Sequence, residues 1–359
     1  MTAAGGPVGR DRAQDVADLR REEVVLPGVP SLGRLYARGA AASGRLALAR
    51  RFGRGPVDLP EVAYLVAGVQ ADATHLTAYQ HLLGETASDV LPAGFVHVLA
   101  FPVATAVMAR PDFPLPLAGL VHLTNEVSQH VPLRLGQAVD VRAWAQGLAA
   151  HRTGTTVELV TEVRLAGAAR ELGEGPVAWR GVSTYLARGM HLVRAGAGAD
   201  GGGVTGGVGG SDGARGDDAR DGGARGGGAA DGGGAQARPA FVPPVPTARW
   251  ELDAGTGRRY AAVSGDRNPI HLSAVSAKAL GFPRAIAHGM YTAARALATV
   301  GAERGDAFTW SVEFAKPVLL PGSVAVRVAA DGAPGDGYTY AGWHARTGKL
   351  HLTGSVRPL

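Results

Sequence analysis

Residues 260–271 read Tyr-Ala-Ala-Val-Ser-Gly-Asp-Arg-Asn-Pro-Ile-His, and 287–290 read Ala-His-Gly-Met. The first stretch opens as a short helix over 256–263 and breaks at Ser264, where Gly265, Asp266, Asn268 and Pro269 cluster as turn formers. It is the densest polar cluster in an otherwise apolar neighbourhood. Asp266 and His271 stand across that turn, a spacing that lets both side chains converge on one water. A carboxylate and an imidazole can then divide the taking and delivery of a proton, because imidazole titrates near neutrality. Asn268 can brace the loop or a substrate through its amide. On local chemistry alone Asp266 could instead cap the following turn, and Asn268-Pro269 is an ordinary turn dipeptide.

The second stretch opens an Ala-rich helix over 287–302, with Met290, Ala293, Ala294, Leu297 and Val300 at helical spacing. Backbone N–H groups at a helix start stabilise negative charge on an oxygen, and Gly289 lets a ligand approach the backbone closely. The Gly289 amide is therefore the predicted oxyanion donor. His288 reads as a packed or capping histidine. His75, His97, His122, His130, His191, His344 and His351 have no carboxylate at comparable spacing and read as structural or surface groups. Met108 and Met290 read as core.

Between these stretches, residues 272–282 read as a short helix ended by Gly281 and Pro283. After 302 come four strand-like runs, 308–320, 323–331, 338–345 and 350–358, separated by Gly or Pro. A long helix followed by an antiparallel meander gives an α+β layer with the sheet wrapped around the helix.

Upstream, residues 196–235 contain nineteen glycines in forty positions and no aromatic. Such a segment cannot bury enough surface to offset its ordering entropy. It reads as a flexible linker spanning roughly 35 Å, not as a phosphate loop, since no strand–loop–helix frame surrounds it. Deleting 200–233 should leave folding and activity largely intact. The part before the linker repeats the order of the part after it. Helical residues are expected near 60–83 and 93–109, then strands over 118–129, 136–148, 153–166 and 176–188. Tyr64 to His75 parallels Tyr260 to His271, and Gly136 falls opposite Gly322. Residues 31–51 read as an added amphipathic helix.

Composition narrows the function classes. The 359 residues suffice for two domains, and 46% are hydrophobic. There is no cysteine, which excludes disulfides, thiolate nucleophiles and Cys-ligated zinc and fits a cytoplasmic location. No signal peptide and no apolar run long enough to span a membrane is read. The net charge of +5 is spread over scattered arginines, without a basic–aromatic stripe, so nucleic-acid binding is not expected. No His/carboxylate ligand set or dinucleotide fingerprint is read, so no metal or redox cofactor is expected.

The Tyr260–His271 motif resembles the hydratase-2 signature of the MaoC-like dehydratases, the R-specific enoyl-CoA hydratases. Ala-His-Gly-Met at 287–290 is similar to the start of that family's central helix. The resemblance implies a double hot-dog fold: two antiparallel sheets, each wrapping a central helix, as a pseudo-dimer in one chain. The whole-chain arrangement also resembles actinobacterial acyl dehydratases. The implied reaction is reversible hydration of trans-2-enoyl thioesters, or dehydration of (3R)-3-hydroxyacyl thioesters, on CoA or acyl carrier protein in fatty-acid metabolism.

Carried over by position, Asp266 and His271 are the implied catalytic pair, and Asn268, Gly289, Ser264 and Tyr260 the implied substrate-binding residues. The expected domains are an extension over 1–55, a degenerate hot-dog half over 56–195, the disordered linker over 196–238, and a catalytic half over 239–359. In the register set by Tyr64 and His75, Gln70 stands opposite Asp266 and Asp72 opposite Asn268. Gln70 cannot ionise, so one site per chain is expected, with the first half shaping the acyl pocket. The resemblance also allows a homodimer. Two other functions remain open: a hot-dog thioesterase, in which water attacks the carbonyl, and a non-catalytic acyl-thioester-binding protein.

Overall fold

The computed structural model describes residues 21–52, 54–167, 172–192, 241–333 and 335–359. The expected linker over 196–238 and the first twenty residues of the expected extension lie outside the described residues. Residues 21–192 and 242–359 belong to one compact unit.

Strand β1 (Glu22–Val25) and helix α1 (Leu32–Arg51) precede the first half. That half contains β2 (Val62–Val69), α2 (Ala73–Leu83), α3 (Ala93–Met108), β3 (Val121–Gln129), β4 (Val139–His151), β5 (Gly154–Leu165) and β6 (Val177–Arg188). The second half contains β7 (Ala248–Leu252), α4 (Thr256–Ser264), α5 (Pro269–Leu272), α6 (Ala274–Ala279) and α7 (Gly289–Val300). It closes with β8 (Phe308–Phe314), β9 (Gly322–Ala330), β10 (Tyr338–His344) and β11 (Leu350–Pro358).

The sheet order is β1-β2-β4-β5-β6-β3-β8-β11-β10-β9-β7. Leaving out β1, this order is palindromic about the β3–β8 pair. Each half is an antiparallel hot-dog sheet, and the two expected sheets meet edge to edge as one eleven-stranded sheet. Thr124 pairs with Glu313 and Gln129 with Phe308 along that seam. The strands follow a period of two: in β8, Phe308, Trp310 and Val312 are buried, while the residues between them are less so.

The central helices differ in kind. α3 is apolar on nearly every face and packs against β2, β4 and β5, as a helix enclosed all round should. α7 is amphipathic, burying Met290, Ala293, Ala294 and Leu297 while Arg295 and Thr299 are less buried.

Two expectations need correction. Residues 62–69 form strand β2, not the start of a helix. The run Val-Ala-Tyr-Leu-Val-Ala-Gly-Val has no period that separates buried strand from buried helix, and pairing with β4 decides it. Strands β1 and β7 carried no recognised signal.

The Tyr64–Tyr260 register also fails, because Tyr64 lies on strand β2 and Tyr260 on helix α4. The order of elements instead matches α2 with α4. Both helices end on a left-handed glycine, Gly84 at φ 74° and Gly265 at φ 70°. A left-handed C-cap suits glycine because it carries no Cβ. Tyr79 then matches Tyr260, and Glu85, not Gln70, stands where Asp266 stands. Asp72 caps α2, accepting from the His75 N–H at 2.8 Å. After the cap, residues 85–91 lead to α3, whereas 266–287 lead to α7. The first half lacks α5 and α6, so nothing stands opposite His271.

Candidate active site

Helix α4 delivers the chain into the turn, where Ser264, Asp266 and Asn268 each have a local partner. The Ser264 hydroxyl oxygen accepts from the Asp266 N–H at 3.2 Å. Asp266 Oδ1 accepts from the Asn268 N–H at 3.1 Å. Asn268 Oδ1 accepts from the Ile270 N–H at 3.4 Å and so caps α5, with Pro269 at its first position. One turn of helix then carries His271 inward, where it is buried.

The imidazole of His271 has a defined tautomer. Nδ1 lies 2.9 Å from the Ile286 carbonyl, which can only accept. Nδ1 therefore carries the proton, and Nε2 presents a lone pair. His288, the residue before α7, donates Nε2–H to the Asp266 carbonyl at 3.0 Å. Its Nε2 is also 3.7 Å from Asp266 Oδ2. The two imidazoles stack with centroids 3.6 Å apart. Tyr36, on helix α1, donates its hydroxyl to Asp266 Oδ1 at 2.5 Å.

These contacts set the charge states. Burial pushes the Asp266 carboxyl up, but His288, His271, the Tyr36 hydroxyl and the Asn268 amide outweigh it and hold it below its ordinary value. Burial lowers His271 despite the opposing pull of Asp266 and the Ile286 carbonyl. Burial and the adjoining His271 ring push His288 down to about 3. At neutral pH the site thus holds an ionised carboxylate beside two neutral imidazoles.

Asp266, His271 and His288 bring ligand-type atoms within 4.8 Å of one another, the single such cluster among the described residues. Stacked rings direct their lone pairs along roughly parallel planes, and Asp266 Oδ1 already accepts two hydrogen bonds. That is poor convergence for a tetrahedral cation, and the arrangement reads as an acid–base set.

The groups line a cavity of about 160 Å³. Tyr260, Ser264, Asp266, Asn268, His271 and Gly289 all border it. Tyr260 lies against His288, with ring centroids 4.9 Å apart. Gly289 is the first residue of α7, where a backbone N–H has no partner within the helix. A Cβ built there would lie 2.8 Å from the Phe314 Cζ, so any side chain would have to displace that ring. Asn268 and Ser264 brace the turn, and both also face the cavity.

Both halves supply the rest of the wall; the first half contributes Phe101, Met108, Leu117 and Leu120, with His97, His122 and Tyr185 among them. His122 stacks on Tyr185 at 4.5 Å. Burial pushes His97 down to about 4, and burial with the neighbouring His97 pushes His122 down to about 3. His351 and Lys316 also border the cavity.

His97, His122 and His351, read from sequence as structural or surface groups, all border the cavity. Their partners are contributed by other elements, so no spacing rule could find them. Tyr36 gave no signal either, since it meets Asp266 across 230 positions. His75 is structural: its Nε2 contacts the Val263 carbonyl at 2.5 Å and ties α2 to α4.

A family model described as MaoC like domain matches residues 235–338. The 3-hydroxyacyl-thioester dehydratase X of Mycobacterium tuberculosis is 33% identical over 306 residues, covering 84% of this chain and 91% of that protein. The crystal structure of M. tuberculosis HtdX superposes with a TM-score of 0.62 at 30% identity, covering 83% of this chain and 100% of that one. A MaoC-like dehydratase from Phytophthora capsici superposes at 0.57 with 17% identity, covering 84% and 96%, which supports the fold. With a relative this similar over nearly its whole length, and a double hot-dog fold around the motif loop, the chain belongs to the MaoC-like dehydratase family of hydro-lyases.

Proposed function

We propose that this protein reversibly hydrates trans-2-enoyl thioesters to (3R)-3-hydroxyacyl thioesters, with Asp266 and His271 as the acid–base pair. One observation carries this reading. An ionised carboxylate and an imidazole with a free Nε2 lone pair border the same cavity as the open amide of Gly289.

In hydration, water sits between Asp266 Oδ2 and His271 Nε2. As its oxygen bonds to C3, the pair takes its proton, and the C2=C3 electrons move toward the thioester carbonyl. The Gly289 N–H holds the oxygen that gains charge, aided by the positive end of α7. The pair then delivers a proton to C2, which restores the carbonyl and completes H–OH addition. Dehydration runs the same steps backwards.

The apolar wall of Phe101, Met108, Leu117 and Leu120 suits the acyl chain, which gives the degenerate first half the role of acyl seat. Lys316 and His351 also border a neighbouring groove with Arg284 and Lys349. Among the described residues no acidic side chain lines that groove. Its cations suit the phosphates of CoA or of a carrier-protein phosphopantetheine arm.

The test is an assay with crotonyl-CoA and a longer trans-2-enoyl-CoA, with chiral analysis of the product. A (3R)-hydroxyacyl product with the thioester intact supports the reading. Release of free CoA with the double bond untouched would make the protein a thioesterase and end it.

A further inference from the structure

Helix α1 is not part of either hot-dog half, yet it reaches the catalytic turn. Leu32 lies so close to Gly265 that a Cβ there would collide with its Cδ1. Leu35 is buried in the main core. Gly39 packs against Leu117, whose Cδ2 would lie 2.5 Å from an added Cβ. Leu117 itself borders the active-site cavity. Between these anchors Tyr36 enters the cavity wall and donates to Asp266 Oδ1.

The geometry at Asp266 is asymmetric. Oδ1 accepts two hydrogen bonds, from the Tyr36 hydroxyl and the Asn268 amide. Oδ2 lies 3.7 Å from His288 Nε2, on the side of the two imidazoles. A carboxylate turns easily about its last torsion, whose wells are broad. The Asn268 amide belongs to the same turn and moves with it. Tyr36 belongs to a separately anchored element and so supplies a fixed external reference.

We propose that Tyr36 is a positioning residue of the active site: its hydroxyl holds Asp266 Oδ1, so that Oδ2 is the oxygen offered to the reacting water. Helix α1 is thereby part of the catalytic apparatus. The proposal rests on the reading of Asp266 as an acid–base group. A phenol O–H to a buried carboxylate is a charge-assisted bond, roughly twice as strong as a neutral one. It also favours the ionised carboxylate, alongside His288 and His271. His97, His122, Tyr185 and Tyr260 face the same carboxylate from α3, β3, β6 and α4 and feel its charge. Among the described residues no Lys or Arg forms an ion pair with it.

The test uses the full chain with crotonyl-CoA, measuring kcat and KM across pH for Tyr36→Phe. The ring stays and only the hydroxyl goes. Loss of a hydrogen bond to a charged group predicts a fall in kcat of about 10–100-fold. KM should stay within about twofold. The acid limb of kcat should move to higher pH by about one unit, because the carboxylate loses a donor that favours its charged form. A site-specific 3-fluorotyrosine at position 36, a stronger donor, should move the limb the other way even if the Phe variant folds poorly.

Wild-type kcat and pH profile in Tyr36→Phe would overturn the proposal. So would a loss confined to KM with the acid limb unmoved, which would make Tyr36 a substrate contact. Asp266→Asn is measured beside it. Near-normal turnover in that variant would remove the acid–base reading itself, and this proposal with it.

Discussion

At the scale of single residues, the site depends on which protonation states burial and neighbours impose. Asp266 and His271 are both held below their ordinary values, for opposite reasons. The carboxylate is lowered by surrounding donors and imidazoles that outweigh its burial. The imidazole is lowered by burial that outweighs the carboxylate. Both groups are in their basic forms at neutrality. Activity should be flat around pH 7 and fall only as acid protonates one of them. The acid limb of kcat/KM for hydration should therefore have its midpoint below the ordinary histidine value of about 6.5. A midpoint well above that value would contradict the charge states described. His271→Ala and Asp266→Ala should each lower kcat by on the order of 10²–10⁴, the usual range for acid–base groups. Near-normal rates in either would leave the pair without a role.

At the scale of elements, α7 and α5 bring the groups together. α7 begins on a glycine beside the Phe314 ring, and a side chain there would press against that ring. Gly289→Ala would force the helix start away from β8 and shift the amide proposed to hold the thioester oxygen. The expected result is a fall in kcat/KM of about tenfold or more, with roughly 1–3 kcal/mol of overpacking cost in thermal unfolding. A variant with unchanged kinetics would show that the oxygen is held elsewhere. The short helix α5 exists because Asn268 caps it and Pro269 starts it, which explains why the motif needs both residues in that order. The same chemistry failed to identify β2, since an eight-residue apolar run carries no period of its own and is decided by its neighbours.

At the scale of the whole molecule, an ion pair bridges the two halves at the position opposite Asp266, in addition to the β3–β8 seam. Glu85 Oε2 lies 3.5 Å from Arg304, and the Glu85 side chain is only 4% exposed. Arg304→Ala would leave that carboxylate buried and unpaired, at a cost of about 3–5 kcal/mol. Arg304→Ala with Glu85→Gln should recover much of it, and denaturant titration of both variants checks this. If the single variant is as stable as wild type, the pair does not join the halves.

The buried imidazoles of His97, His122 and His288 add an acid weakness. Their folded values, about 4, 3 and 3, lie below the unfolded value of about 6.5. The unfolded chain therefore binds these protons first as pH falls. Stability should be full above about pH 6.5 and drop progressively below it, by at most about 2 kcal/mol per histidine at pH 5. His122→Phe should flatten that loss in Tm measurements between pH 7 and 5. An unchanged slope would mean His122 is hydrated in the folded state.

The loop from Tyr260 to His271 was legible in sequence because its parts are local. A helix stop, an N-cap and the proposed acid–base pair all sit within one short loop, where short-range geometry decides the outcome. The α+β order, α1, α3 and most strands were legible for the same reason: each carries its own period or breaker residues. The partners of Asp266 were not. Tyr36 and the wall of His97, His122 and Tyr185 reach the cavity only because the sheet closes at β3–β8 and α1 docks over the turn. The true counterpart of Asp266, Glu85, was hidden by a loop that is long in one half and short in the other. Sequence registers drift across such an insertion, whereas paired strands and matched helix caps keep the alignment in space.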